Sequence, residues 1–88
     1  LLAEAMIASG IENGLDPTVA DVLTRQTLLG ASSLLSSSGV SPSDLRNSVT
    51  SPNGTTAAAI DHLDKNQFTE IIIAAISKAT SRSKELGE

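Results

Sequence analysis

Apolar residues recur at helical spacing along most of the chain, and short polar stretches with glycine or proline separate them into segments. The apolar positions of the first segment are Leu2, Ala3, Met6, Ile7 and Ile11. Residues three and four apart share one face of a helix, so this segment is predicted to be an amphipathic helix. It is expected to end at Asn13-Gly14, because a left-handed glycine commonly follows the last helical turn.

Asp16-Pro17 predicts the start of a second helix. An aspartate at the cap accepts a hydrogen bond from an otherwise unpaired amide, and proline at the first helical position has no amide to leave unpaired. We expect this helix to run from about Pro17 to Ser37 or Ser38. Its apolar residues cover more than one face, and they are Val19, Val22, Leu23, Leu28, Leu29, Ala31, Leu34 and Leu35. Such a helix packs against neighbours on two sides.

Ser41-Pro42 predicts a short third helix through about Val49, with Asp44 completing a variant of the capping box. No second domain or internal repeat is apparent, so residues 1–88 are predicted to form one helical domain.

A polar loop over residues 50–54 precedes a fourth helix. Its apolar positions are Ala57, Ala58, Ala59, Ile60 and Leu63. Thr55 or Thr56 can cap its start, since threonine hydroxyls accept hydrogen bonds from first-turn amides. We expect Asn66 to end it in a left-handed conformation.

The last segment, from Phe68 to about Leu86, contains the β-branched run 71–76, which alone could also form a buried strand. Its length favours a helix, because polar residues continue the segment without a turn signal. The chain is therefore predicted to be all-α, with about five helices in a bundle. A helix that is apolar on nearly every side must be covered on every side. Five helices of an 88-residue chain can hardly do this, so we predict a partner subunit.

Composition supports an interlocked helical interface. Apolar residues make up 40% of the chain, and Phe68 is its single aromatic residue, so the core consists of aliphatic side chains that allow close approach of helices. Phe68 and Met6 are interpreted as packing residues rather than ligand contacts. The chain starts at Leu1, inside a predicted helix, and we expect it to be a piece of a longer protein.

The net charge of −4 argues against a nucleic-acid partner. The basic residues Lys78, Arg82 and Lys84 lie near the end of the last predicted helix, where cations complement the helix dipole. No apolar run reaches the ~18 residues that span a membrane, so no membrane association is expected. The absence of cysteine fits a reducing compartment, and the cytoplasm is the default location.

Few residues have the pattern of a catalytic or metal site. The single histidine, His62, lies between Asp61 and Asp64 without an array at metal-ligand spacing, and no metal site is predicted. A role facing solvent or a partner is favoured over catalysis. The chain has no glycine-rich nucleotide loop and no Gly-x-Ser-x-Gly elbow, so it is not predicted to bind a nucleotide cofactor by itself.

The start of the fourth helix is chemically distinctive. Asn53-Gly54-Thr55-Thr56 combines a turn, two hydroxyls and unpaired backbone amides, which attract a carboxylate or a phosphate. On physical grounds alone the simpler interpretation, a threonine that caps the helix, is favoured.

The whole chain resembles the C-terminal helical domain of pyrroline-5-carboxylate reductases. The resemblance is carried by the segment Leu45-Arg46-Asn47-Ser48-Val49-Thr50-Ser51-Pro52-Asn53-Gly54-Thr55-Thr56, by Ala59-Ile60 and Leu63-Asp64, by Gly14-Leu15, by Gln26-Thr27-Leu28-Leu29-Gly30-Ala31, and by Ser81-Arg82-Ser83-Lys84-Glu85-Leu86-Gly87. One departure is Asn53, where many members carry glycine. The family tolerates it, and asparagine is the next-best residue for a left-handed conformation.

This resemblance implies an enzyme that reduces 1-pyrroline-5-carboxylate to L-proline with NADPH or NADH, in proline biosynthesis. It implies that the nucleotide is bound mainly by an N-terminal Rossmann domain, which this chain lacks, so that the chain alone is inactive. It further implies a domain that interlocks with its twin in a homodimer, or in an oligomer of such dimers.

The resemblance also implies a substrate site in the loop, formed by Ser51, Asn53, Gly54, Thr55 and Thr56. The substrate carboxylate would be held by the Ser51 hydroxyl and by backbone amides around Gly54 and Thr55. The Thr56 hydroxyl would lie near the ring nitrogen and orient it for reduction.

Two alternatives remain beside the reductase. The first is a non-catalytic helical oligomerisation module derived from the same fold, against which the intact loop argues. The second is the helical half of another two-domain dehydrogenase family, which would lack this loop.

Overall fold

A computed structural model of the chain describes residues 1–87, and its regular structure in that part is helical throughout. The five helices are α1 (Leu2–Glu12), α2 (Pro17–Ser38), α3 (Pro42–Ser48), α4 (Thr55–Lys65) and α5 (Phe68–Glu85). The all-α prediction is confirmed, and the β-branched run 71–76 lies within α5.

The end of α1 follows the glycine rule expected from the sequence. Gly14 has φ +99, and its amide donates to the Ile11 carbonyl at 3.0 Å. The amide of Leu15 donates to the Gly10 carbonyl, also at 3.0 Å. These paired bonds form a Schellman motif, which satisfies carbonyls that the last helical turn would leave free.

Both ends of α2 are formed as predicted. The Asp16 carboxylate accepts from the Thr18 amide at 2.9 Å, and Pro17 occupies the first helical position. Gly39 ends the helix in a left-handed conformation with φ 68. On the surface of α2 the Asp21 carboxylate accepts from Arg25 Nε at 2.8 Å, and this hydrogen bond and charge raise the pKa of Arg25.

The cap of α3 is also confirmed, since the Ser41 hydroxyl accepts from the Asp44 amide at 3.2 Å. Two predictions about α4 are wrong. Neither Thr55 nor Thr56 caps this helix, because Gly54 occupies the cap and Thr55 is already the first helical residue. Asn66 is not left-handed, with φ −104, and the left-handed residue is Gln67, with φ 62.

A side-chain hydrogen bond explains the second error. Asn66 Nδ2 donates to the His62 carbonyl at 2.8 Å, which holds Asn66 against the last turn of α4 in a right-handed conformation. The chain reverses at the next residue instead, and Gln67 takes the positive φ at a cost of about 1–2 kcal/mol for a residue with a Cβ.

The chain divides into two compact units, Leu1–Leu45 and Arg46–Glu88, with the boundary inside α3. In the first unit α1 packs on α2, and a Cβ added to Gly10 would lie 3.1 Å from the Ala20 Cβ. The side chains buried there are Ala20 and Thr24. In the second unit α4 contacts α5. The prediction of a single domain over residues 1–88 stays a prediction.

The chain buries little of its own apolar surface. It exposes 7153 Å², whereas two entirely separate compact bodies of half its mass would together expose roughly 5,900 Å². Large side chains of α5 are open, with Ile71 at 59%, Ile73 at 60% and Ile76 at 63% exposure. Two-sided packing of α2 is likewise absent within residues 1–87, since Leu29 and Leu34 are both more than half exposed. Apolar faces of this extent are typical of surfaces that pack against further protein.

None of the helices in residues 1–87 combines the length and hydrophobicity needed to cross a membrane.

Candidate functional site

The loop between α3 and α4 is anchored at its first residue. The Thr50 amide donates to the Asn47 carbonyl at 3.2 Å, and the Thr50 hydroxyl donates to the Arg46 carbonyl. Thr50 is half-buried, whereas Ser51 and Pro52 after it are exposed. These two hydrogen bonds fix the first residue of the loop against the end of α3.

Residues 51–54 then form a β-turn. The Gly54 amide donates to the Ser51 carbonyl at 3.0 Å, which closes the turn. Proline is favoured at the second position of a type II turn, and the third position needs a positive φ. Pro52 and Asn53 meet these requirements, since Asn53 has φ 59. The expectation that Asn53 tolerates a left-handed conformation is confirmed.

Gly54 is required by close approach rather than by a positive φ. Its backbone is extended, with φ −83 and ψ 179. A Cβ at this position would lie 3.2 Å from the Ser51 carbonyl oxygen and 3.3 Å from the Ser51 Cβ. A residue with a Cβ would require Ser51 to move by a few tenths of an ångström.

The first turn of α4 presents unpaired backbone amides. The first intrahelical bond of this region runs from the Ala58 amide to the Gly54 carbonyl at 3.1 Å. The amides of Thr55, Thr56 and Ala57 precede it, and no side chain within residues 1–87 caps them. Because the helix dipole adds positive potential here, these amides can together bind an anion by donating hydrogen bonds to it.

A shallow depression lies beside the loop and includes one of these three residues, Ala57. It is lined by Asn53, Gly54, Ala57, Ala58 and Asp61. The small alanine side chains leave room next to the helix start, and the Asp61 carboxylate is paired with Lys65 Nζ at 2.9 Å. The sequence analysis did not include Ala57 or Asp61 among the site residues. Ala57 could have been found, because it is the third residue of the helix and the amide at that position has no partner within the helix.

The predicted site residues therefore occupy one loop and one helix start. Ser51, Asn53 and Thr55 are exposed, and Gly54 and Thr56 are half-buried. The Gly54 amide itself is engaged by the turn, so the free donors lie one to three residues further on. The geometry alone does not assign these residues a ligand, and their binding roles stay predictions.

Other sequence candidates lie elsewhere. His62 is exposed on α4, and within residues 1–87 no group of three or more histidine, cysteine or acidic side chains could hold a metal ion. Arg82 and Lys84 lie in the last turn of α5, as predicted, where Arg82 Nη1 pairs with Glu85 Oε2 at 3.0 Å.

Helices with exposed apolar faces and a very small core of their own define a class of protein, the helical oligomerisation domain. The family model for pyrroline-5-carboxylate reductase dimerisation matches residues 1–86. The chain belongs to this family, which confirms the resemblance and supports assembly with further copies of itself.

Curated relatives agree with this assignment. The chain is 47% identical over 88 residues to the pyrroline-5-carboxylate reductase of Pseudomonas aeruginosa, with 100% of this chain and 32% of the relative covered. It is 39% identical over 88 residues to the enzyme of the same name from Arabidopsis thaliana, again covering 100% of this chain and 32% of the relative. The chain thus spans about a third of the length of these relatives.

A solved structure shows the same fold. The crystal structure of Plasmodium falciparum pyrroline carboxylate reductase with NADP bound is similar with a TM-score of 0.93 and 30% sequence identity. The similarity covers 99% of this chain and 35% of that one. A nicotinamide nucleotide is therefore a cofactor of a family member.

Proposed function

We propose that this chain is the dimerisation and substrate-binding part of a pyrroline-5-carboxylate reductase, which reduces 1-pyrroline-5-carboxylate to L-proline. The observation that carries the proposal is the uncapped start of α4 in a chain that belongs to this family. An anion site made from backbone amides suits a substrate whose only charge besides the imine is a carboxylate.

The carboxylate would bind the free amides of Thr55, Thr56 and Ala57. The exposed Ser51 hydroxyl, on the opposite side of the turn, would donate a further hydrogen bond. Hydrogen bonds to a charged group contribute roughly 1.5–3 kcal/mol each, so the loop can bind the substrate without a basic side chain. Asn53 and Gly54 would shape the turn that brings Ser51 to the helix start.

The Thr56 hydroxyl would orient the ring. Thr56 lies at the second helical position, is half-buried, and does not cap the helix. Its hydroxyl would then lie beside the carboxylate held by the neighbouring amides. A hydrogen bond to the ring nitrogen would fix which face of the imine carbon meets the hydride donor. Orientation of this kind lowers the barrier because the reacting atoms are held in a productive geometry.

The hydride would come from NADPH or NADH, whose nicotinamide supplies the reducing chemistry. The residues of this chain do not form a nucleotide site, because glycine-rich loops that cradle a pyrophosphate are absent from its sequence. We assign the nucleotide mainly to an N-terminal Rossmann domain, as in the family. The loop residues would bind and orient the substrate beside it.

The proposed assembly is a homodimer, or an oligomer of such dimers, in the cytoplasm. Exposed apolar side chains on α2 and α5 support the dimer, and the acidic net charge of −4 argues against nucleic acid as a partner. The cytoplasmic location rests on the absence of cysteine.

A substitution at Thr56 tests the proposal directly. In the intact reductase Thr56→Ala is expected to lower kcat/KM for pyrroline-5-carboxylate roughly tenfold or more, through loss of a hydrogen bond to the reacting ring. Thr56→Ser keeps the hydroxyl and is the matched control, expected to retain most activity. Steady-state kinetics with saturating NADPH measure both. Equal kinetics of Thr56→Ala and the unsubstituted enzyme would remove Thr56 from the site.

The competing function, a non-catalytic oligomerisation module, makes a different prediction. Such a module would dimerise but would not bind L-proline in the presence of the nucleotide. Titration calorimetry of the intact protein with L-proline and NADP⁺ separates the two functions, since a measurable heat of L-proline binding, lowered by Thr56→Ala, supports the reductase.

A further inference from the structure

The turn of the candidate loop contains a chemically labile pair, Asn53-Gly54. The nitrogen of a residue that follows asparagine can attack the asparagine side-chain amide, and glycine hinders this attack least because it has no side chain. A second pair of the same composition, Asn13-Gly14, ends α1. The reactivity of the two Asn-Gly pairs can therefore be compared within one chain.

Both reacting groups of the pair at the end of α1 are held. Asn13 Nδ2 donates to the Ser9 carbonyl at 2.8 Å, and the Gly14 amide donates to the Ile11 carbonyl at 3.0 Å. The next amide, that of Leu15, adds a third bond to the same helix end. For the Gly14 nitrogen to reach the Asn13 Cγ, this motif must open.

The pair in the loop, Asn53-Gly54, makes fewer hydrogen bonds than Asn13-Gly14. Asn53 is exposed, and its side-chain amide has no hydrogen-bond partner within residues 1–87. The Gly54 amide donates to the Ser51 carbonyl at 3.0 Å, the bond that closes the turn. Asn53 also has φ 59, a strained conformation for a residue with a Cβ, so opening the turn relieves strain while it breaks that bond.

We infer that Asn53 is a site of spontaneous deamidation, which converts it to aspartate and isoaspartate faster than Asn13. The Gly54 nitrogen bonds to the Asn53 Cγ, and the bond from Cγ to Nδ2 breaks. Nδ2 leaves as ammonia with the proton from the Gly54 nitrogen, and a cyclic imide remains. Water then opens the imide at Cγ to give aspartate, or at the backbone carbonyl to give isoaspartate.

The modification would weaken substrate binding, a consequence that rests on the proposed function. Either product adds a carboxylate at position 53, adjacent to the free amides of Thr55 and Thr56. This carboxylate would repel the substrate carboxylate and compete for the same donors. Isoaspartate also inserts a methylene into the backbone, which moves the Ser51 side of the turn relative to α4.

The rate of modification is measured in the intact protein during incubation in mildly alkaline buffer. Peptide mass spectrometry follows the amide-to-acid mass gain at both pairs, and labelling by an isoaspartyl methyltransferase detects the isomer. We expect Asn53 to convert roughly fivefold or more faster than Asn13, because fewer hydrogen bonds must open. In urea the difference should shrink. Equal rates at the two pairs in the folded protein, or no conversion at Asn53, would overturn the inference.

Kinetics of aged and fresh enzyme then test the consequence. KM for pyrroline-5-carboxylate should rise with incubation in the unsubstituted enzyme, and Asn53→Asp should show a raised KM from the start. Asn53→Gly cannot deamidate at this position, so its KM should not drift from its own starting value. Conversion of Asn53 with no change in KM would establish the modification and count against the substrate role of the loop.

Discussion

At the scale of single residues, the loop owes its proposed chemistry to backbone groups rather than to side chains. The turn places Gly54 at the cap of α4, so the amides of Thr55, Thr56 and Ala57 are left without partners in residues 1–87. Alanine substitutions do not remove such donors. Proline does, and the first position of a helix is where proline is tolerated.

Thr55→Pro therefore tests a single backbone donor. Gly54 before it is already extended, with φ −83 and ψ 179, a conformation close to what proline requires of its predecessor. For the intact protein, the proposed function predicts that KM for pyrroline-5-carboxylate rises roughly tenfold, the effect of losing a hydrogen bond to a charged group. Thr55→Ala keeps the amide and is the control. If both variants bind substrate alike, the carboxylate does not use this amide.

At the scale of the helices, local rules account for most boundaries. The sequence predicts the helix ends at Asp16-Pro17, Gly14 and Ser41-Pro42 correctly, because each of these caps depends on residues adjacent in sequence. The start of α4 was predicted wrongly because adjacent threonines offer equivalent caps, and the turn closed by Ser51 and Gly54 excludes both. The Asn66 prediction failed because a side-chain bond outweighed a general preference.

The loop as a candidate site was identified from its sequence resemblance, and its free donors were only partly predicted. The sequence predicts donors around Gly54 and Thr55, but the turn engages the Gly54 amide, and the unpaired amides are those of Thr55, Thr56 and Ala57. Which surfaces cover α5 does not follow from the sequence, because the described residues leave its isoleucines exposed.

The cap of α2 gives a stability prediction. Asp16→Ala removes the acceptor of the Thr18 amide and is expected to lower the free energy of unfolding by about 1 kcal/mol. Asp16→Asn keeps a side-chain oxygen and should lose less. Urea unfolding of the intact protein, followed by circular dichroism, measures both variants. Equal losses for alanine and asparagine would mean that the hydrogen bond does not stabilise the cap.

At the junction between α4 and α5, a substitution is expected to raise the free energy of unfolding instead of lowering it. Gln67→Gly should raise the free energy of unfolding by about 0.5–1 kcal/mol, because glycine adopts φ 62 without the strain of a Cβ. Gln67→Ala retains the Cβ and should bring no gain. Thermal melting at one fixed protein concentration compares the variants, and a lower melting temperature for the glycine variant would contradict the strain argument.

At the scale of the whole molecule, the exposed apolar helices favour assembly with further copies of the chain. The buried side chains within residues 1–87 are Ala20 and Thr24, while long stretches of α2 and α5 remain open. The membership of the chain in a dimerisation family explains this distribution. A second copy would cover these faces and complete the core that each chain lacks.

A charge placed on α5 tests this assembly. Ile73 is 60% exposed in the single chain, where a substitution to glutamate would change stability by less than about 0.5 kcal/mol. If another copy covers Ile73, burying an unpaired carboxylate costs several times more. We therefore expect Ile73→Glu to dissociate the oligomer, as measured by light scattering after gel filtration. Lys78→Glu, on the same helix, adds more negative charge and should leave the oligomer intact. Retention of the oligomer by Ile73→Glu would place the interface elsewhere.

The small internal core has a consequence for the polypeptide inside a cell. A newly made subunit that has not met another copy exposes its apolar side chains, the isoleucines of α5 among them, to chaperones and proteases. Its survival depends on how soon it finds a twin, because only assembly removes the unfolded population. The amount of the protein should then rise more steeply than its rate of synthesis, and scarce subunits should turn over faster than abundant ones.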